Sequence, residues 1–498
     1  MRRNILISLV AVLASGVSAV AASFALFATS ERFLVSSFNL IVLDYLPGWV
    51  VSRVIQQFGD NALWYSMIFS GAFLAVALGV LALASYRGAA LVSPQREPVA
   101  GFATATVVVF LCAFAVVRDP LAVVLPALIG GGLVTLVETS PTEGIGLDTD
   151  RRGAVLAIAG LVGFNVVAHA VGLIRRRSTQ RTEQRLADRA ARLEAENMVS
   201  QARSLELDVE DTQPLVSEIG EFYVVDINPE PPAVDAGNWS LSVSGRVPEP
   251  VELDYDDVRA YETVNRYKAI RCLSDGIGGD KLDTAVWTGV RMGDLLEDVD
   301  PQGSHAMLYG ADDYYYSMPI DHLEECMLAY GMNGFELPQR HGYPVRLLVP
   351  DRWGKLHVKW LTEIEIIDSE SGGFWEAQGW HGMGPVNAVT KIDRIQRPDD
   401  GGIRIVGHAY AGGRGVETVE VTIDGGESWE EARLSEALPD DDTLRQWVYE
   451  IDADSQPDGD AYEMAARSID GDGNVQPRER SEPFPDGATG WVRRSISP

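Results

Sequence analysis

The sequence predicts three parts in series: an α-helical membrane anchor, a middle region of short strands and turns, and a C-terminal all-β sandwich. Apolar runs long enough to cross a bilayer are confined to residues 1–177. From Phe222 onward the pattern changes to short strands separated by turn residues. Toward the C-terminus apolar and polar side chains alternate, as half-buried sheets require.

Composition narrows the partners. The formal net charge is -30, from 71 acidic against 41 basic residues, only five of which are lysine. A carboxylate-rich surface so poor in lysine points to a halophilic, salt-adapted setting. It excludes nucleic acid, because phosphate binding needs clustered Lys and Arg. Mean hydropathy near zero beside 22% charged residues implies segregation into an apolar half and an acidic half. Three cysteines make no disulfide framework. Cys112 lies in the apolar run VVVFLCAFAVV, and Cys326 in EECMLAYGMNG is expected to be a core residue of a helix-like segment. A Cys272–Cys326 disulfide is the disfavoured alternative.

Five apolar runs approach the span of about 20 helical residues that a bilayer demands. They are Ile5–Leu26, Ala62–Ser85, Gly101–Val117, Leu121–Val137 and Ala154–Ile174. The third and fourth meet at Arg118-Asp119-Pro120, a tight interfacial turn. The stretch between the first two is broken by Asp44, Pro47 and Gly48, and is expected to lie along the interface. Arg2, Arg3, Arg87, Arg96, Arg151 and Arg152 set the N-terminus inside, so five spans leave the soluble part on the extracellular side. Arg175, Arg176 and Arg177 argue the other way. Thr149-Asp150-Arg151-Arg152 reads either as an internal twin-arginine export signal or as ordinary positive-inside charge. His169 is the only histidine in these runs, which excludes a haem held by two membrane histidines. The region reads as an anchor in the lipid bilayer.

A charged helical linker, 178–214, follows, with leucines and alanines along one stripe. Soluble domains are expected at 215–372 and 385–495. In the first, Cys272 follows a strand-like run and precedes a Gly-Ile-Gly-Gly turn, in RCLSDGIGGDKLDTAVWTGV. The segment Trp287-Thr288-Gly289-Val290 then looks buried. One thiol before a glycine-rich loop is weak evidence alone. In the second domain Val419, Val421 and Ile423 alternate before an Asp424-Gly-Gly turn. Trp447, Tyr449 and Ile451 alternate likewise, as do Tyr462, Met464 and Ala466.

From Phe222 on, the chain resembles the sulfite-oxidase superfamily of molybdopterin-dependent oxidoreductases. The resemblance rests on phrases in family order: FYVVD, then KAIRCLSDGIGGDKLDTAVWTGVRMGDLLE. ADDYYYSMPIDHLEECMLAYGMNGFELPQRHGYPVRLLVPDRWGKLHVKWLTEIEI follows, and GWHGMGPVNAVTKIDRIQRP comes last. It implies an α+β sulfite-oxidase-type domain, then an immunoglobulin-like Mo-cofactor dimerisation domain and hence a homodimer. The implied cofactor is molybdenum-molybdopterin (Moco). Cys272 would be the thiolate ligand of the metal, a soft donor suited to it. Tyr314 would be the active-site phenol, with Tyr315 and Tyr316 leaving its register open. Tyr223, Asp226, Asn228, Ser274, His341, Arg346 and Lys359 would hold the cofactor, the cations gripping its phosphate.

Two departures bear on substrate. Sulfite oxidases carry arginines that cradle the oxyanion at positions where this chain has Val225 and Ile277. The expected function is therefore oxygen-atom transfer coupled to two-electron transfer, but not strict sulfite oxidation. The substrate would be a small oxyanion, an S-oxide or an N-oxide. With no haem or iron–sulfur motif, electrons would pass to a separate carrier, either a soluble redox protein or a quinone-linked membrane protein. The alternative is a non-catalytic membrane-anchored binding or assembly protein that keeps the fold.

Overall fold

The computed structural model describes residues 2–27, 33–59, 61–92, 97–139, 165–171, 186, 188–228, 231–456 and 461–496. The chain divides into two units: 1–181 with 226–233, and 182–225 with 234–498.

The first unit is helical. Its helices are Arg2–Phe27, Leu34–Tyr45, Gly48–Phe58, Asn61–Val92, Glu97–Val117 and Pro120–Thr139. Among the described residues, three helices are long and apolar enough to cross a membrane, Asn61–Val92, Pro98–Val117 and Pro120–Thr139. Counting the bent pair Leu34–Leu43 and Gly48–Ile55 as one span makes four; its two halves meet at 116°. The expected break at Asp44, Pro47 and Gly48 is thus a sharp bend. The fifth expected span and the Thr149–Arg152 motif lie outside the described residues, except for 165–171. In that fragment His169 stacks on Phe24 with ring centroids 5.2 Å apart.

Small residues let these helices close on one another. A Cβ added to Gly16 would fall 1.6 Å from the Ala75 carbonyl oxygen, and one on Gly79 would fall 2.0 Å from that of Val12. Small residues at these positions are what allow the helix backbones to approach so closely. Ser15 Oγ donates to the Gly130 carbonyl at 2.8 Å, and Arg87 pairs with Glu138 at 2.7 Å. The Arg118-Asp119-Pro120 turn has Arg118 at φ 58°, and Asp119 accepts the Leu121 N–H at 2.8 Å.

The second unit is sheet-rich. A helix, Arg189–Leu205, opens it, capped by Asp188, whose side chain accepts from Ala190 and Ala191. Its alanine stripe, Ala191, Ala195 and Ala202, is buried. Tyr267 donates to the Met198 carbonyl at 2.6 Å, and Asn265 to that of Ala191 at 3.1 Å. The helix therefore docks on the strand Thr263–Arg271. Past Leu205 the linker runs through a series of bends; Leu207 N–H donates to Gln446 Oε1 at 2.8 Å, and Gln446 Nε2 to the Gln213 carbonyl at 2.9 Å.

One five-stranded sheet runs Val251–Asp254, Ser240–Gly245, Leu361–Ile367, His305–Gly310, Tyr315–Pro319. It is antiparallel except where Ser240–Gly245 pairs with Leu361–Ile367. A second sheet orders Thr263–Arg271, Leu282–Arg291, Met327–Met332 and Phe335–Glu336, with Arg346–Leu348 also paired to Met327–Met332. Here the structure corrects one expectation. EECMLAYGMNG is no helix: its core is the strand Met327–Met332, and Asn333-Gly334 is a two-residue hairpin turn at φ 52° and 86°. Positive φ at both positions matches the twist of the flanking strands, and Asn-Gly supplies it. Cys326, just before the strand, is buried, and all three cysteines are free.

Two antiparallel four-stranded sheets follow from Val389. Ile403, Ile405 and Trp447 from one, and Val419, Val421, Met464 and Ala466 from the other, share a single apolar cluster. The alternation legible in sequence is the inward face of these strands.

Candidate active site

Cys272 sits where the strand Thr263–Arg271 ends. Its N–H donates to the Lys281 carbonyl at 3.0 Å, and its carbonyl accepts from Asp275 N–H at 3.0 Å, so the loop is a closed turn on the neck of a hairpin. The thiol is half-buried and lies 3.2 Å from Ser274 Oγ. Burial pushes its pKa up, and the Ser274 hydroxyl and the Lys281 charge offset this only in part. An activated cysteine nucleophile shows the opposite shift, so the thiol is not poised as a free nucleophile. Among the described residues no three His, Cys, Asp or Glu side chains converge as a metal site. A metal on Cys272 would take its other ligands from a cofactor.

Two phenols feel the Cys272 charge, Tyr223 and Tyr314. Tyr314 enters the strand Tyr315–Pro319; its hydroxyl donates to the Lys355 carbonyl at 2.5 Å. Burial, then the Glu376 carboxylate, raises its pKa well above the ordinary phenol value, so it stays protonated. Tyr314 and Tyr315 both pack against Phe374, with ring centroids 5.8 and 6.2 Å away, while Tyr316 is buried with its hydroxyl on Met383 Sδ at 2.9 Å.

A cluster of basic groups stands beside them. Arg346 leads the strand Arg346–Leu348, with its guanidinium carbon 5.1 Å from the Trp287 ring centroid. One Nη donates to the His341 carbonyl at 3.1 Å, whereas its Nε is buried with no partner. Burial lowers its pKa to about 10, which still leaves it charged at neutral pH. Burial and Arg346 together lower His341 to about 4, so the imidazole is neutral. Lys359 donates to the carbonyls of Val225 at 3.0 Å and Arg340 at 3.3 Å, and burial lowers it to about 7. A buried guanidinium nitrogen with no acceptor is what an anionic group would complete. These residues fit a cofactor phosphate.

The structure thus brings together Cys272, Ser274, Tyr314, Tyr223, His341, Arg346 and Lys359 within one unit. Asp226 and Asn228 fall instead in 226–233, which groups with the helical unit. Ile277 corrects a second expectation. The glycine-rich turn carries it away from a substrate-facing position into the apolar cluster of the C-terminal sheets, where it is 1% exposed. Val225 is exposed and contributes its carbonyl to Lys359. Sequence reasoning missed Lys355, which pairs with Glu376 beneath Tyr314, and Lys391, which bonds Asp275. Neither carries a local signal, since their partners lie far along the chain.

Residues 228–375 match the oxidoreductase molybdopterin binding domain, and residues 386–483 match the Mo-co oxidoreductase dimerisation domain. The chain is 25% identical over 324 residues to the sulfite oxidase of Arabidopsis thaliana, covering 53% of this chain and 82% of that one. It is 31% identical over 258 residues to the mitochondrial sulfite oxidase of Drosophila melanogaster, covering 43% and 45%. It thus spans less than half the length of that mitochondrial enzyme. It is 32% identical over 167 residues to the uncharacterized oxidoreductase YuiH of Bacillus subtilis, covering 33% of this chain and 82% of that one. Among solved structures, the sulfane dehydrogenase SoxCD from Paracoccus pantotrophus gives a TM-score of 0.48 at 22% identity, over 54% of this chain and 78% of that one. The cofactor is molybdenum-molybdopterin, and the chain belongs to the sulfite-oxidase-type family of molybdopterin oxidoreductases.

Proposed function

We propose that this protein is a membrane-anchored oxidoreductase in which Cys272 is the thiolate ligand of the metal and Tyr314 the active-site phenol. The observation that carries the reading is the buried Nε of Arg346, left without an acceptor in the same unit as Cys272 and Tyr314. When bound, the molybdenum-molybdopterin group supplies the two-electron couple and the position at which an oxygen atom is exchanged. Arg346 and Lys359 hold its phosphate, His341 fixes Arg346 through its carbonyl, and Tyr223 and Ser274 border the thiol. Asp226 and Asn228 stay candidates on the entry segment. Tyr314 keeps its proton, which is held on the Lys355 carbonyl and would have to turn from it to reach a reacting oxygen.

The substrate is a small oxyanion, an S-oxide or an N-oxide rather than sulfite alone. What supports this is Val225, an apolar residue where sulfite oxidases carry an arginine. Electrons pass to a separate carrier, a soluble redox protein or a quinone-linked membrane protein. The helical unit inserts in the bilayer with the catalytic part on the extracellular side. The C-terminal sheets, 385–495, act as an immunoglobulin-like dimerisation domain.

Metal analysis of the purified chain tests this reading. About one molybdenum per chain, with pterin fluorescence after denaturation, is expected. Cys272→Ser should keep the pterin and lose dye-linked turnover of S-oxides and N-oxides. Absence of both metal and pterin would favour an assembly protein, and sulfite turnover outpacing every oxide would overturn the substrate assignment.

A further inference from the structure

A buried ion cluster ties the thiol's loop to the C-terminal sheets. Arg271, next to Cys272, is 0% exposed. Its Nε donates to Asp275 Oδ2 at 2.9 Å. One Nη donates to the Asn387 carbonyl at 2.9 Å, and the other to the carbonyls of Ala488 and Asp275, each at 3.2 Å. Lys391, on the strand Val389–Gln396 and 2% exposed, donates to Asp275 Oδ1 and to the Gly279 carbonyl, each at 2.9 Å. Asp275 Oδ1 also accepts the Lys281 N–H at 3.1 Å.

The cluster spans the loop from end to end. Arg271 stands just before the thiol, Asp275 lies in the middle, and Lys391 holds the far end at Gly279. Buried ion groups of this kind are seldom better for stability than apolar residues of the same volume; their attested use is to fix register. Here the register set is that of the Cys272 turn against a strand contributed from more than a hundred residues away. Ile277, seated in the apolar cluster of those sheets, pins the same loop from its other face.

We infer that Lys391 is a positioning residue for the Cys272 thiol, holding Asp275 and Gly279 so that the sulfur presents one fixed geometry to the cofactor metal. The inference rests on Cys272 being that metal's ligand. Lys391→Met keeps the length and apolar stem of the side chain and leaves Arg271 to neutralise Asp275.

Two readouts on the full-length chain in detergent separate this role from general stability. In chain produced without cofactor, alkylation of Cys272 in Lys391→Met should rise about tenfold through local opening, while Cys326 keeps its rate. In loaded enzyme the electron paramagnetic resonance g-values of the half-reduced metal should shift, and Lys391→Arg should restore both readouts. Unchanged Cys272 reactivity, or an equal rise at Cys326, overturns the inference. Should Lys391→Met fail to fold, Ile277→Ala serves instead, with a rise of a few-fold expected; no rise there overturns it equally. A chain that lacks molybdenum but shows the selective alkylation would retire the metal-ligand reading while leaving the loop clamp in place.

Discussion

Asp312 shows what a single buried carboxyl costs. It is 4% exposed, and burial pushes its pKa up to about 7 although the Tyr314 N–H donates to it. A folded-state value above the unfolded one means the fold prefers the protonated form. The associated stability is fully present below about pH 4 and is lost as pH rises toward about 7. Asp312→Asn keeps an acceptor for Tyr314 without the charge. It should raise the apparent unfolding midpoint in detergent near pH 8, by the equivalent of about 2 kcal/mol, and change little at about pH 4. A shift equal at both pH values would refute the assignment. At this scale much of the site was legible: Cys272, Tyr314, His341, Arg346 and Lys359 carry chemistry in their residue type and fall in recognisable phrases. Asp275 and Lys391 were not legible, because their ion pair joins positions 116 residues apart. Ile277 was misplaced, because sequence order cannot tell which way a glycine-rich turn throws the side chain between its glycines.

The hairpin at Asn333-Gly334 is where an element differed from expectation. The run ECMLAYGM has no period that separates a short buried strand from a helix, since both are continuously apolar. The Asn-Gly pair after it was the better signal. Asn333 is further fixed by its side chain, which accepts the Val286 N–H at 2.9 Å and donates to the Ser217 carbonyl at 2.9 Å. Gly334→Val must place a β-branched residue at φ 86°, against Glu196 Cγ. A loss of about 1–3 kcal/mol is expected, read as a lower unfolding midpoint of the full chain. Gly220→Ala, whose added methyl meets nothing within 4 Å, is the control and should be silent. Equal effects would mean the turn is not strained. The C-terminal strands, by contrast, were readable outright, because alternation with a period of two has one structural solution.

For the whole molecule the charge of -30 is the dominant electrostatic fact. Self-repulsion of that size opposes the folded state and is relieved by screening, as the Debye length falls from about 10 Å at 0.1 M salt to about 3 Å at 1 M. The unfolding midpoint of the purified chain should therefore climb through that range of KCl and fall on dialysis to low salt. A midpoint indifferent to KCl would show that the acidic groups are locally compensated. The clamp on Cys272 also has a consequence for biosynthesis. The carbonyls that receive the Arg271 guanidinium belong to Asn387 and Ala488, 116 and 217 residues further on. On the ribosome, Arg271 leaves the exit tunnel long before either exists as a partner. The local turn around Cys272 can therefore form before its clamp to the C-terminal sheets, which is complete only once Ala488 has been made.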